Sequence, residues 1–265
     1  MRTTVGAIWV YIVVLAILGT PLYVVVATSG NPEAVESWLA FLMFTPAAAA
    51  LIAWAITRQR PLIGKPRWST LLMALIPPIL VGIAYAVLLV GPLSWKGTSE
   101  LDSPLSLVFN AAAACVLAFG EELGWRGYLL PLLRRKFGFF AANTWVVVLW
   151  LLFHLPVIVL GEGAYSNAQI PMWANIFFFS LAIAGFSFFV GLLWEMHHDV
   201  WSATLAHGWW NTTIQSTLPA MFLAGSPWIM GEFGLVAAGC MSVLLIVVIV
   251  LARARVPAGP AQLPV

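Results

Sequence analysis

Runs of about twenty apolar residues, repeated along 265 residues with few charges inside them, leave this chain one solvent to fold in. A helix crossing a hydrocarbon core of about 30 Å needs roughly 20 such residues at 1.5 Å per residue. Eight stretches approach that length, at about 5–27, 37–57, 69–92, 104–126, 141–160, 172–194, 200–218 and 232–252. Only 8% of the residues are charged and 62% are hydrophobic, far from the balance of a soluble domain. In lipid each backbone N–H must find its partner within its own segment, so these stretches are read as helices. The first runs too long without charge to be the apolar core of a signal peptide, about 7–15 residues, and is expected to be retained. The expected fold is all-α: one polytopic membrane helix bundle over residues 1–265 with about eight transmembrane helices. Loops are short, no internal repeat is visible, and the tail over residues 253–265 is expected to be flexible.

Basic residues set the expected orientation. With the N-terminus in the cytoplasm, Arg2, Arg58, Arg60, Lys65, Arg67, Arg134, Arg135, Lys136, Arg253 and Arg255 all fall inside. Lys96 falls outside, and Arg126 is left within or at the edge of the membrane. Glu33, Glu36, Glu100, Asp102, Glu162 and Glu232 fall mostly on the outer side. Both termini are therefore expected to be cytoplasmic. A seven-span count would put the last arginine pair outside.

The net charge of +2 reflects cytoplasmic loops facing anionic lipid and gives no reason to expect nucleic acid. Cys115 and Cys240 stand singly in apolar spans, without the spacing of a disulfide framework or a zinc knuckle, and read as small buried hydrophobes.

Ionisable groups within spans are costly and mark sites or pathways, so the few present carry the functional reading. In Gly120-Glu121-Glu122-Leu123-Gly124-Trp125-Arg126, Glu122 and Arg126 share a helix face four residues apart. Glu121 is turned about 100° away and points at a different neighbour. Arg126 compensates Glu122, which leaves Glu121 free to act as a base. The plainer reading is an ion cluster anchoring a helix end. His154 sits deep in its span beside Pro156, which lacks an N–H and frees the Leu152 carbonyl. Such a histidine either points into a cavity or cements two helices. His207 and Asn211 lie one turn apart on one face, where two donors can hold an oxyanion or bind a neighbouring helix. Small residues at Ala203, Ala206 and Gly208 allow a close helix approach there. His197, His198 and Asp199 have the composition of a metal cluster but fall at a cytoplasmic turn, and are read as a solvated loop.

Glu121-Glu122-x-x-x-Arg126, Trp150-x-x-x-His154 and His207-x-x-x-Asn211 together resemble the three motifs of the CPBP family, in order and each in its own span. That family comprises type II CAAX prenyl endopeptidases and bacterial relatives associated with bacteriocin processing and immunity. The resemblance covers about residues 105–215, and the spans before about residue 103 carry no motif. Where the family often has Phe, this chain has Trp150, which preserves an aromatic wall.

The resemblance implies an intramembrane endopeptidase of the bacterial cytoplasmic membrane. It acts on a membrane-associated peptide or protein near the cytoplasmic side. Glu121 activates a water, His154 holds or shares it, His207 and Asn211 form the oxyanion hole, and Glu122 and Arg126 support the site or orient substrate. No cofactor is expected. The alternative is a zinc held by Glu121, His154 and His207. At 1.5 Å per residue, His207 lies about 10 Å from a helix start near Val200, and Glu121 about 24 Å from one near Pro104. Glu121 thus falls in the cytoplasmic third, and a shared cavity is expected to open to the cytoplasm. From other classes come a non-catalytic membrane protein (a proton-coupled transporter, or an immunity or scaffold factor) and a haem protein ligated by His154 and His207. The chain leaves the substrate and the oligomeric state open.

Overall fold

The computed structural model describes residues 3–29, 32–89, 91, 93–97, 104–161 and 165–263. Arg2, Glu100, Asp102 and Glu162 lie outside the described residues, and only the backbone is described for Glu33 and Glu36. The helices are α1 (Thr4–Thr28), α2 (Pro32–Thr57), α3 (Trp68–Met73), α4 (Ile76–Leu88), α5 (Pro104–Gly124), α6 (Leu130–Arg134), α7 (Phe139–Leu160), α8 (Met172–His197), α9 (Trp201–Asn211), α10 (Leu218–Met221) and α11 (Leu235–Arg255). A π-helical turn at Trp125–Leu129 joins α5 to α6, and a second at Thr212–Thr217 joins α9 to α10.

This is the all-helical polytopic bundle expected from the apolar runs. Seven helical stretches among the described residues are long and apolar enough to cross a membrane. The eighth expected span, 200–218, is continuously helical from Trp201 to Met221 but more polar, and most of α9 is buried inside the bundle. The fourth span is the largest departure. It does not end near residue 126 but continues through the π turn to Arg134, a 30-residue stretch over Leu105–Arg134.

Local chemistry explains how the helices tolerate their breakers. Thr3 caps α1, its Oγ1 accepting from the Gly6 N–H at 3.2 Å. Pro46 within α2 leaves the Leu42 carbonyl without its helical donor, and the Thr45 hydroxyl donates to that carbonyl at 2.8 Å. Exposed Trp9, Ile17, Phe41, Val87, Val108 and Ile246 face outward, as side chains in contact with lipid should. The enclosed core runs through α8, the most buried of the long helices, which packs on α7 and α11.

Glycines set the helix spacing at the motif-bearing helices. A Cβ on Gly124 of α5 would stand 2.6 Å from the Pro46 carbonyl carbon and oxygen on α2. One on Gly208 of α9 would stand 2.7 Å from Cys115 Cα on α5. This close approach is the use expected of small residues, and it gives Cys115 its place.

The connections carrying Arg58 to Arg67 and Arg134 to Lys136 gather at one end of the bundle, with the Arg253 and Arg255 end of α11. There the Leu62 N–H donates to the Gly127 carbonyl at 2.7 Å, and Arg135 Nη1 to Gln59 Oε1 at 2.7 Å. Arg134 is buried and forks onto Glu195 with contacts of 2.7 and 2.9 Å. The tail is laid against this end rather than splayed out: Ala261 N–H donates to the Arg134 carbonyl at 2.8 Å, and Arg134 Nη1 to the Gly259 carbonyl at 3.1 Å. At the same end the His197–Asp199 turn is not a solvated loop. Asp199 is buried and caps α9, its Oδ1 accepting from the Ser202 N–H at 3.0 Å and hydroxyl at 3.2 Å. His198 takes the left-handed conformation at φ 54°, and burial holds its imidazole below the ordinary range, opposed by Glu195 and reinforced by Arg134.

The opposite end carries two short strands that the apolar pattern did not predict. They are β1 (Leu93–Trp95) and β2 (Phe222–Ala224), paired antiparallel with Ser94 opposite Leu223.

The glycine spacing gives a direct test. Gly124→Ala should lower the unfolding free energy by about 1–3 kcal/mol through overpacking. Gly239→Ala, whose Cβ meets nothing within 4 Å, should be neutral or stabilising. Thermal denaturation of the two variants in the same detergent distinguishes them.

Candidate active site

α5 is the hub from which the site is built, because its two adjacent glutamates face different neighbours. Glu122 is fully buried, and its Oε1 accepts from Arg126 Nη1 at 3.0 Å and from His207 Nδ1 of α9 at 3.0 Å. Arg126, also fully buried, donates through Nη2 to the Ser187 hydroxyl of α8 at 2.9 Å. Its guanidinium carbon lies 4.4 Å from the centre of the Trp150 ring on α7, within cation–π distance. One buried ion pair thus bonds α5 to α8 and α9, with Trp150 of α7 stacked on its cation.

Glu121 points the other way. Its Oε2 accepts two indole N–H groups, from Trp150 at 2.7 Å and from Trp125 at 3.3 Å. Both donors converge on one oxygen, and Glu121 lines the main cavity. Trp150 therefore serves two partners at once, its N–H holding Glu121 and its ring face covering Arg126. A phenylalanine at this position could do only the second.

His154 stands across the cavity with its Nδ1 2.9 Å from the Trp150 carbonyl. A carbonyl only accepts, so Nδ1 carries the proton and Nε2 keeps a lone pair. The ring is held among Phe153, Tyr165 and Phe179. The same logic applies to His207. Its Nδ1–H is committed to the Glu122 carboxylate, so its Nε2 can donate only when the ring is doubly protonated. The α7 helix continues through Pro156 to Leu160.

The cavity has a volume of about 690 Å³ and is lined by Glu121, His154, His207 and Asn211 together. Four of the six residues singled out in the sequence thus come to one chamber from three helical segments. Glu122 and Arg126 do not line it and lie behind the Trp150 wall. Among the described residues, no three His, Cys, Asp or Glu side chains stand close enough to share a metal ion, including Glu121, His154 and His207.

The cavity lies toward the end of the bundle away from the basic connections, not toward the basic end where the opening was expected. The cavity walls include Tyr165, Ser166 and Asn167 after α7, and Met230 to Phe233 before α11, all at the end away from the basic connections. None of the lining residues belongs to the connections that carry Arg58 to Arg67 or Arg134 to Lys136. The physical reason is the length of the α5–α6 stretch. Glu121 lies about 24 Å from Leu105 and about 20 Å from Arg134, hence near the middle of this stretch rather than in its last third.

Sequence reasoning missed Trp125, Ser187 and Glu232. Trp125 stands four residues beyond Glu121, the same spacing that singled out Arg126 for Glu122, so the signal was there. Ser187 left none, because its contact depends on how α8 docks. Glu232 was counted only as an outer acidic residue, yet it lines the cavity.

Residues 103–213 match the family described as type II CAAX prenyl endopeptidase Rce1-like. This motif-bearing core is similar to the CPBP family. The match begins at α5 and ends within the second π turn, so the CPBP-like core carries Glu121, Glu122, Arg126, His154, His207 and Asn211 but not Glu232. No curated protein matches the chain.

Two substitutions probe the geometry. Glu122→Ala leaves Arg126 buried without its counter-ion and should destabilise the protein by about 3–5 kcal/mol, read as loss of folded protein in detergent. Trp150→Phe keeps the ring over Arg126 but removes the shorter N–H bond to Glu121. A hydrogen bond to a charged group contributes about 1.5–3 kcal/mol, so turnover of any substrate should fall well before the fold is lost.

Proposed function

We propose that this chain is an intramembrane endopeptidase whose hydrolytic water is held in the 690 Å³ cavity. The observation that carries the reading is that Glu121, His154, His207 and Asn211, distant in sequence, line that one chamber. The family match supports peptidase chemistry on membrane-associated substrates.

The chemistry follows from which atoms remain available. The Glu121 carboxylate and His154 Nε2 are both acceptors, so they can grip the two hydrogens of one water and leave its lone pair for a carbonyl carbon. Glu121 takes the proton as the oxygen attacks, then returns it to the departing amine nitrogen. Negative charge develops on the former carbonyl oxygen, where the Asn211 amide N–H can donate. His207 donates there through Nε2 as an imidazolium paired with Glu122, which makes it a stronger oxyanion partner than a neutral ring. Arg126 neutralises Glu122 from behind, and together the two glutamates, Arg126 and the His207 imidazolium balance in charge.

A proton-relay transporter requires a polar path through both faces of the bundle. Among the described residues, the cavity lining stops short of the basic end, which favours the hydrolase. With the basic end cytoplasmic, the proposed enzyme receives its substrate from the opposite face or laterally from the bilayer.

The deciding experiment is cleavage of a quenched peptide library by purified protein in lipid nanodiscs. Glu121→Gln should reduce turnover by about 10²–10⁴-fold with unchanged thermal stability, while a chelator leaves the wild type active. Full activity in Glu121→Gln would sink the assignment. Loss of wild-type activity under chelation would overturn the metal-free step.

A further inference from the structure

The cavity has a second carboxylate that the hydrolytic step does not use. Glu232, on the segment before α11, lines the chamber together with Glu121. Its Oε1 accepts from Trp210 Nε1 at 3.1 Å and its Oε2 from Gln215 Nε2 at 3.2 Å. Tyr165 bonds it as well, and burial followed by the Glu232 and Glu121 carboxylates holds that phenol well above its ordinary range. All three donors are neutral. They orient the carboxylate, and among the described residues no cation pairs with its charge.

The rest of the lining sharpens the point. It contains no Lys or Arg among the described residues. Arg126 is sealed behind Trp150 and bonded to Glu122 and Ser187. Lys96 lies outside the lining, on the exposed β1 side, and donates to the Pro219 carbonyl at 3.5 Å. A peptide ending in a free carboxylate would bring a third negative charge into a chamber whose proposed cation, the His207 imidazolium, is already paired with Glu122. A lysine or arginine side chain would meet a preoriented carboxylate instead.

Resting on the peptidase reading above, we propose that Glu232 is a specificity-determining residue. It receives a cationic side chain of the substrate and directs the site to internal, basic peptide segments. A tail whose last residue carries the α-carboxylate, as in a C-terminal Cys-a-a-X sequence, is disfavoured. Because Glu232 lies beyond the matched residues 103–213, this preference belongs to this chain's own extension of the CPBP-like core. The segment that carries it also shapes the chamber: Gly231 donates its N–H to the Tyr85 hydroxyl at 3.0 Å, tying this wall to α4.

The test uses full-length protein in nanodiscs and quenched peptides identical except for Lys, Gln or Glu at one position, each as the C-terminal amide and acid. The wild type should show kcat/KM about tenfold higher for Lys than for Glu peptides, and higher for amides than acids. Glu232→Gln should level the Lys-to-Glu ratio, and Glu232→Lys should reverse it. A reversal cannot come from mere loss of structure. An unchanged ratio in Glu232→Lys overturns the inference while leaving the peptidase reading standing. If the wild type cuts none of the peptides, that reading fails on its own. The affinities of the same peptides for Glu121→Gln, read by fluorescence anisotropy with and without Glu232→Lys, then decide the inference by the same order or its absence.

Discussion

A carboxylate with no access to water must be compensated, and Glu122 shows how much structure that single requirement organises. Its Oε1 is shared by Arg126 on its own helix and His207 on α9, and Arg126 reaches onward to Ser187 of α8. An ion desolvated without partners costs several kcal/mol, so the helices carrying the partners cannot drift apart without exposing that cost. The chamber beside this pair is consequently walled by side chains that cannot relax independently. Trp150 transmits the constraint, since the ring over Arg126 also holds Glu121 through its N–H.

Close helix approach makes these short bonds reachable. Lipid tails are as apolar as leucine, so helix association inside a bilayer depends on packing contacts and polar bonds rather than on water release. Gly120 and Gly124 bring α5 against α2, and Gly208 brings α9 against Cys115 of α5. The glutamates lie between the two points of contact on α5. Both π turns lie beside motif residues, one starting three positions after Glu122 and one directly after Asn211. Such turns recur at functional sites because the widened turn re-aims side chains that a regular helix would keep in register. Arg126 lies within the first of them.

The division between Glu121 and Glu122 has a further chemical consequence. Adjacent on a helix, the two differ by about 100° in direction, enough to put one in a cavity and the other behind its wall. The hidden glutamate fixes the protonation pattern of His207 by occupying its Nδ1. The cavity glutamate faces the chamber. Position on a helix surface, rather than residue type, separates the ion-paired, hidden carboxylate from the one that lines the chamber.

The amino-acid sequence by itself determined the solvent, the helical class, the approximate spans and the residues with reason to be functional. Apolar runs of membrane length admit few structures, and ionisable groups inside them demand partners. The i, i+4 rule was enough to pair Glu122 with Arg126, and the same rule pairs Glu121 with Trp125. Only the tertiary structure decided which helices meet. It brought His207 to Glu122 across 85 positions and Ser187 to Arg126 across 61. It also drew Glu232 into the chamber and carried the α5–α6 helix to Arg134, which puts Glu121 near the middle of that stretch. Local spacing governs contacts within a helix because its geometry repeats every 3.6 residues. Contacts between helices depend on how glycine-lined faces and buried charges fit, and that is a property of the assembled bundle.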